Sequence, residues 1–200
     1  MRILYITNMR LPTEKAHGKQ IMETCNVLAR LGAGLTLLVP RRINKLKDNP
    51  FSFYGLPASF AIKKLFCLDL LFLPLWKRFF FWLEMTTFTQ AAFIYAVLCI
   101  KKFNIIYTRD LVLAVWMSYI GPTVYEIHNL PERPGFFYRI AWRRARKLVV
   151  ISDGLRQDLV KFGADSGKII LARDAVDMKK FDISISQEEA RNKLKINLTE

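Results

Sequence analysis

Four stretches of this 200-residue chain carry side chains suited to holding an anion or a hydroxyl, and each adjoins a run that reads as a strand. The first, residues 8–20, lies between an apolar run at 2–7 and a helix expected to open near Gly18. A strand, a loop and a helix start together offer free backbone N–H groups and a positive dipole end, which suit phosphate. Gly18 either lets the backbone approach such an anion or merely turns the chain into the helix. The loop lacks G-x-G-x-x-G, which argues against a dinucleotide fingerprint. The second stretch centres on His128, after a run at 123–127 and before a loop held by Pro131 and Pro134. An imidazole at a strand end can donate to a sugar hydroxyl or phosphate oxygen, or it can simply pack or cap. Glu126, on the same strand, is assigned to the opposite side and carries less weight. In the third, Tyr107-Thr108-Arg109-Asp110, the guanidinium can clamp an anion bidentately while Asp110 caps the next helix. An internal pair of Arg109 with Asp110 or with Glu126 is the structural alternative. The fourth is a basic helix at 135–147 with Arg139, Arg143 and Arg146 at i, i+4 and i+7, beside Phe136 and Ile140. Such a face lies on an anionic membrane or is merely solvated, and Arg41, Arg42, Lys45 and Lys47 favour the membrane.

These residues require a scaffold of alternating strands and helices. Strands are expected at 2–7, 35–39, 62–65, 104–108, 123–127, 148–151 and 168–171. Between the first two, Ile21, Met22, Cys25, Leu28 and Ala29 form the inward stripe of a helix. A helix at 111–119 is cut off by Gly121-Pro122. Ser152 is placed to cap a helix whose Leu155, Leu159 and Phe162 recur at i, i+4 and i+7. Ser186-Gln187-Glu188-Glu189 is a capping box that opens a last helix through Leu194. The alternation implies an α/β fold with a doubly wound parallel, Rossmann-like sheet. The segment 51–103 is the least legible, with helices expected on either side of Trp82.

Composition narrows the partners. The net charge is +14, from 31 Lys and Arg against 17 Asp and Glu, and it favours anionic ligands such as nucleotide diphosphates or anionic lipid. No helix-turn-helix, zinc finger or aromatic RNA-binding signature accompanies it, so nucleic acid is not expected. Cys25, Cys67 and Cys99 lack paired spacing, which points to a reduced, cytoplasmic compartment. Two histidines and no Cys-x-x-Cys make a metal site unexpected. The start of the chain reads as a strand followed by charged residues rather than a signal peptide. Eleven of the fifteen phenylalanines fall within 51–103, yet the longest charge-free run there, 85–100, has only sixteen residues. That is shorter than a span usually requires, so a buried helix is expected, with an aromatic face near lipid.

The stretch KLVVISDGLRQDLVKFGADSGKIILARDAVDMKKF, 147–181, resembles the end of the N-terminal domain of family 4 glycosyltransferases, which have the GT-B fold. Its Ile151-Ser152, the helix from Gly154 to Leu159, Lys168-Ile169, and Val176-Asp177 with Phe181 follow the family's order. The opening MRILYITNMRLPTEKAHGKQI resembles the family's first strand and glycine loop, and YTRD and YEIHN its central strand ends. The resemblance implies half of a two-domain, retaining, metal-independent enzyme that uses a nucleotide-sugar and needs no cofactor. By that resemblance Gly18, with His17, approaches the donor diphosphate, and His128 contacts the donor sugar as the catalytic candidate. Arg109, Asp110 and Asn129 fall on the side of a glycan or lipid-linked acceptor. Two departures stand out. His17-Gly18 replaces two glycines, and Arg173-Asp174-Ala175 replaces a Pro-Asn-Gly type turn.

On this reading 1–172 form the N-terminal domain, and 173–200 form a connector that leads to a donor-binding domain beyond the chain. A truncated form inactive alone, peripheral at the inner face of the membrane, is the corresponding expectation. One rival is a non-catalytic acceptor-binding or scaffold subunit that partners a separate donor-binding domain. The other is an unrelated doubly wound binding protein, favoured if Gly18 and His128 lie far apart.

Overall fold

The structure is a computed structural model describing residues 1–71, 76–175 and 185–194. Seven parallel strands form one sheet: β1 (Arg2–Ile6), β2 (Gly34–Pro40), β3 (Ala61–Leu65), β4 (Ile105–Thr108), β5 (Thr123–Ile127), β6 (Lys147–Val150) and β7 (Ile169–Leu171). Their order is β3-β2-β1-β4-β5-β6-β7. The strands at the centre are apolar on both faces, as a sheet covered by helices on both sides requires. The order reverses between β1 and β4, so loops from those two strands diverge and leave a crevice at their carboxyl ends.

Helix α1 (Ala16–Arg30) covers one face, with Ile21, Met22 and Cys25 buried against Ile3, Tyr5, Leu35 and Leu37. Leu28 and Ala29 pack at the margin of the same cluster, completing the expected stripe. A short helix α2 (Pro50–Tyr54) joins this side; Asn49 accepts from the Phe51 amide at 2.9 Å, Pro50 fills the first turn, and Gly55 closes it at φ 64°. That local signal, Asn-Pro at the start and Gly past the end, is present in the sequence, within and beside the segment that is least legible there.

The opposite face carries α3 (Lys77–Cys99), α4 (Leu111–Met117) and α5 (Phe136–Arg144). Helix α3 corrects one expectation and refines another. It is one continuous helix rather than two flanking Trp82, and only one side of it is buried, with Phe79, Phe81 and Trp82 forming an exposed aromatic face as expected. The stripe Glu84, Phe88, Ala92 and Ala96, with Thr89 beside it, is buried against the sheet, and Phe93 and Tyr95 pack at its margin. The four stripe residues recur every fourth position, and the alanines let the helix lie close over Leu4, Ile6, Leu38 and Ile106. Phe79, Phe81, Trp82, Ile94, Val97 and Leu98 remain exposed. Because α3 is apolar on every side, its sequence does not say which side is covered.

Helix α6 (Asp153–Lys161) starts at Ser152, whose hydroxyl accepts from the Leu155 amide at 3.2 Å, as the sequence predicts. Leu159 is buried, and Leu155 and Phe162 pack around the same cluster. Helix α7 (Gln187–Leu194) begins with a closed capping box: the Glu189 amide donates to the Ser186 hydroxyl at 3.1 Å, and the Ser186 amide donates to the Glu189 carboxylate at 2.9 Å. The Val176-Asp177 and Phe181 elements lie outside the described residues.

Candidate functional site

The crevice collects the residues that follow β1, β4 and β5, and strand alternation sorts them into two groups. Successive side chains point to opposite faces. In register, Tyr5 stands beside Tyr107, which stands beside Val124, and Ile6 beside Thr108, which stands beside Tyr125. Tyr107, Arg109, Glu126 and His128 therefore belong to the face of α1. Asn8 and Asp110 belong to the face of α3. Arg109 and Asp110, grouped together on the acceptor side from sequence, point to opposite sides of the sheet.

On the α1 face Glu126 is a buried hub. Its Oε1 lies 2.7 Å from Arg109 Nη2 and 2.7 Å from His128 Nε2, and its Oε2 accepts from the Tyr107 hydroxyl at 2.6 Å. The expectation that Glu126 faces away from His128 is corrected: residues two apart on a strand share a face. Of the two internal pairs open for Arg109, the structure holds the one with Glu126. Burial pushes the Glu126 carboxyl up, but hydrogen bonds from His128, Arg109 and Tyr107 outweigh it and hold the group below the usual glutamate value. Burial, with Glu126 beside it, raises the Tyr107 phenol and keeps it protonated as a donor. Arg109 Nη1 also donates to Gln20 Oε1 of α1 at 2.9 Å, while its Nε is buried with no partner among the described residues. Gln20 in turn donates to Asp174. A hydrogen-bonded chain thus runs from α1, two residues past Gly18, through Arg109 and Glu126 to His128.

This geometry changes what His128 can do. With Nε2–H directed at Glu126, the neutral ring offers Nδ1, an acceptor, to a ligand. Donation to a sugar oxygen, the role suggested by sequence, requires the doubly protonated ring. Asn129, the next residue, is exposed.

The second group lies on the α3 face. Asp110 Oδ2 accepts from the Asn8 amide at 3.0 Å. Asp110 stands at the start of α4, but its side chain does not cap that helix, which corrects the capping role expected for it. Burial raises the Asp110 carboxyl above its ordinary value despite the bonds from Asn8 and Thr7. Asn8 Nδ2 reaches Glu84 Oε2 at 3.2 Å, and Arg42 grips Glu84 bidentately, Nε to Oε1 at 2.8 Å and Nη2 to Oε2 at 2.5 Å. Arg42 Nη2 also donates to Asn8 Oδ1 at 2.8 Å. The side chains of Arg42 and Glu84 are only 12% and 0% exposed, so Arg42 does not belong to a membrane-facing cluster. Arg41, Lys45 and Lys47 remain exposed.

Gly18 lies in the first turn of α1, which begins two residues earlier than its sequence suggests. It is buried, and a Cβ there would stand 2.4 Å from Thr13 Cγ2 and 2.5 Å from the Tyr54 hydroxyl. That hydroxyl is fixed, accepting from the Thr13 amide at 2.9 Å and donating to the Thr13 carbonyl at 2.7 Å. Packing alone therefore requires glycine at this position. Gly18→Ala is expected to lower stability by about 1–3 kcal/mol, the usual cost of overpacking, in urea denaturation. The double variant with Tyr54→Phe should lose less than the two single changes summed, because they share one contact. His17 is exposed at the start of the helix; partial burial, then Lys15 and Arg109, lower its pKa and favour the neutral ring.

Arg139 and Arg143 are exposed one turn apart on α5. Arg146 lies past its end, where its amide donates to the Thr123 carbonyl and leads into β6, so it does not extend the expected basic face.

No protein-family model matches the chain, and no curated protein matches it by sequence. Solved structures do. Anabaena Alr3699/HepE in complex with UDP-glucose superposes with a TM-score of 0.61 at 14% identity, over 98% of this chain and 50% of that one. The lipopolysaccharide outer core galactosyltransferase WaaB gives 0.59 at 10% identity, over 88% and 46%. UDP-GlcNAc 2-epimerase from Neisseria meningitidis bound to UDP-GlcNAc gives 0.58 at 11%, over 100% and 55%. The chain spans about half the length of these structures. The fold is therefore an α/β doubly wound parallel sheet matching one half of the GT-B architecture. At such identities the likeness establishes the fold alone, which serves transferases and an epimerase alike.

Proposed function

We propose that this chain is the acceptor-side half of a retaining, nucleotide-sugar-dependent glycosyltransferase of the family 4 type. It would move a hexosyl-type sugar onto a cell-surface glycan or glycolipid, in the cytoplasm and peripherally at the inner face of the membrane. The observation that carries this reading is the chain Gln20–Arg109–Glu126–His128 across the crevice at the carboxyl edge. It lies beside the α1 start in a fold that HepE shares, and HepE was solved with UDP-glucose. Departure of a diphosphate calls for aligned N–H donors and cations more than for a base. The first turn of α1 would supply the former. Arg109 would supply part of the latter, while Glu126 fixes its position and that of the imidazole. Asp110, Asn129 and the crevice rim would meet the acceptor. The donor-binding half would supply the remaining cations, and the reading assigns no resident metal or cofactor.

Titrating the isotope-labelled chain with UDP-glucose and GDP-mannose, followed by amide and imidazole NMR signals, tests this. Weak, saturable shifts at His17, Gly18 and His128 with no sugar transfer are expected. Shifts confined elsewhere, or robust turnover by this chain alone, would overturn it.

A further inference from the structure

A groove between α3 and α4 remains unassigned by the site described above. Its cavity of about 320 Å³ is lined mainly by Trp82, Met85, Phe93, Ile94, Val112 and Trp116. Phe93 and Trp116 meet edge to face inside it at 5.8 Å between centroids. A second cavity of about 120 Å³ shares Met85, Thr89 and Val112 with the first and continues to Asn8 and Asp110. The apolar groove therefore adjoins the carboxyl-edge crevice, with Met85, Thr89 and Val112 as the shared wall.

Where the two cavities meet stands Thr89, 6% exposed, with a buried hydroxyl that has no partner among the described residues. A buried, unpaired hydroxyl is unfavourable, and a polar atom of a ligand would relieve it. The occupant that fits is amphiphilic: hydrocarbon against Phe93 and Trp116, an oxygen at Thr89, and a polar head toward Asn8 and Asp110. The Asn8 amide and the Asp110 carboxyl at that end suit a hydroxyl-bearing head, and the nearby Arg42 is already neutralised by Glu84. The exposed rim points to where such a molecule comes from. Trp76, Phe79, Phe81 and Trp82 surround Lys77 and Arg78 at the start of α3. Aromatic and cationic side chains mixed in this way are typical of a membrane–water boundary. A second copy of the chain is disfavoured, because each carries a net charge of +14. Helix α3 does not itself span a bilayer here, since its Glu84–Phe88–Ala92–Ala96 stripe is packed on the sheet.

We propose that this groove holds the hydrocarbon chain of a glycolipid-type acceptor with a neutral, hydroxyl-bearing head, presented to the crevice past Thr89. The proposal builds on the transferase reading and names its acceptor class.

Octyl β-glucoside, kept below its micellar concentration, serves as the probe, with glucose as control. Tryptophan fluorescence reports the groove, since Trp82 and Trp116 line it. A saturable change with octyl glucoside and none with glucose is expected. Val112→Phe, which fills the groove, should abolish it. Thr89→Val, close in size and free of the unpaired hydroxyl, should weaken binding about tenfold, one hydrogen bond's worth. Thermal unfolding checks that both variants fold; should Val112→Phe not fold, Thr89→Val decides. An unchanged response in the folded variants, an equal response to glucose, or concentration-dependent dimers that block the probe would overturn the proposal. The nucleotide-sugar shifts at Gly18 and His128 lie on the other face of the sheet and are read separately. Their loss would sink the transferase reading while leaving groove binding intact, and the reverse result would sink only the groove.

Discussion

Arg42→Ala is expected to destabilise the protein by about 3–5 kcal/mol, the cost of leaving a buried charge without its partner. Glu84 is wholly buried in the covered stripe of α3, and Arg42 supplies both of its short charged contacts. Among the described residues its other side-chain partners are the Asn8 amide group at 3.2 Å and the Cys67 thiol, too little to solvate a carboxylate. Asn8 would also lose the bond from Arg42 to its Oδ1, and with it the brace that holds the loop after β1. The double variant Arg42→Met, Glu84→Leu removes both charges and should recover most of the loss. Urea denaturation of the three proteins checks this; a single variant within about 1 kcal/mol of the native chain would show the pair to be solvated.

Why this pair escaped a reading of sequence, while the sheet did not, has a physical basis. Most strands are apolar runs within three to seven residues and alternate with helices, two of which carry caps legible in the sequence, so local rules reach them. Ser152 and the Ser186–Glu189 box are capped as their spacing predicts. The Arg42–Glu84 contact joins residues 42 apart, and nothing near Arg42 distinguishes it from its basic neighbours. A signal did exist on the other side. Glu84 is the only acid between Asp69 and Asp110, in a helix otherwise rich in phenylalanine. A lone carboxylate among apolar residues is rarely buried unpaired, so a cation had to be sought. The misplacement of Glu126 was avoidable, because strand alternation alone puts it with His128. The covered side of α3 is not legible in the same way, because its apolar residues surround the helix and leave little moment to orient it.

Glu126→Gln is expected to cost about 3 kcal/mol, and its pH dependence should identify the cause. Glutamine keeps the shape and can still accept from Tyr107, but it leaves the Arg109 guanidinium, 11% exposed, without its counter-charge. In the native chain the carboxyl of Glu126 is held below its ordinary value, so its stabilisation is complete above the unfolded-state pKa. It is lost as pH falls through the depressed folded value. Asp110 acts with the opposite sign. Burial raises its folded pKa, so protonation favours the folded state, and stability rises as pH falls from that raised value toward the ordinary one. The native chain superposes the two slopes. In the glutamine variant the Glu126 slope disappears, and stability should increase with acid over the Asp110 window. Urea unfolding as a function of pH separates these outcomes. An unchanged profile would mean that Glu126 does not carry the charge that positions Arg109 and His128. In that case Glu126 would not organise the crevice.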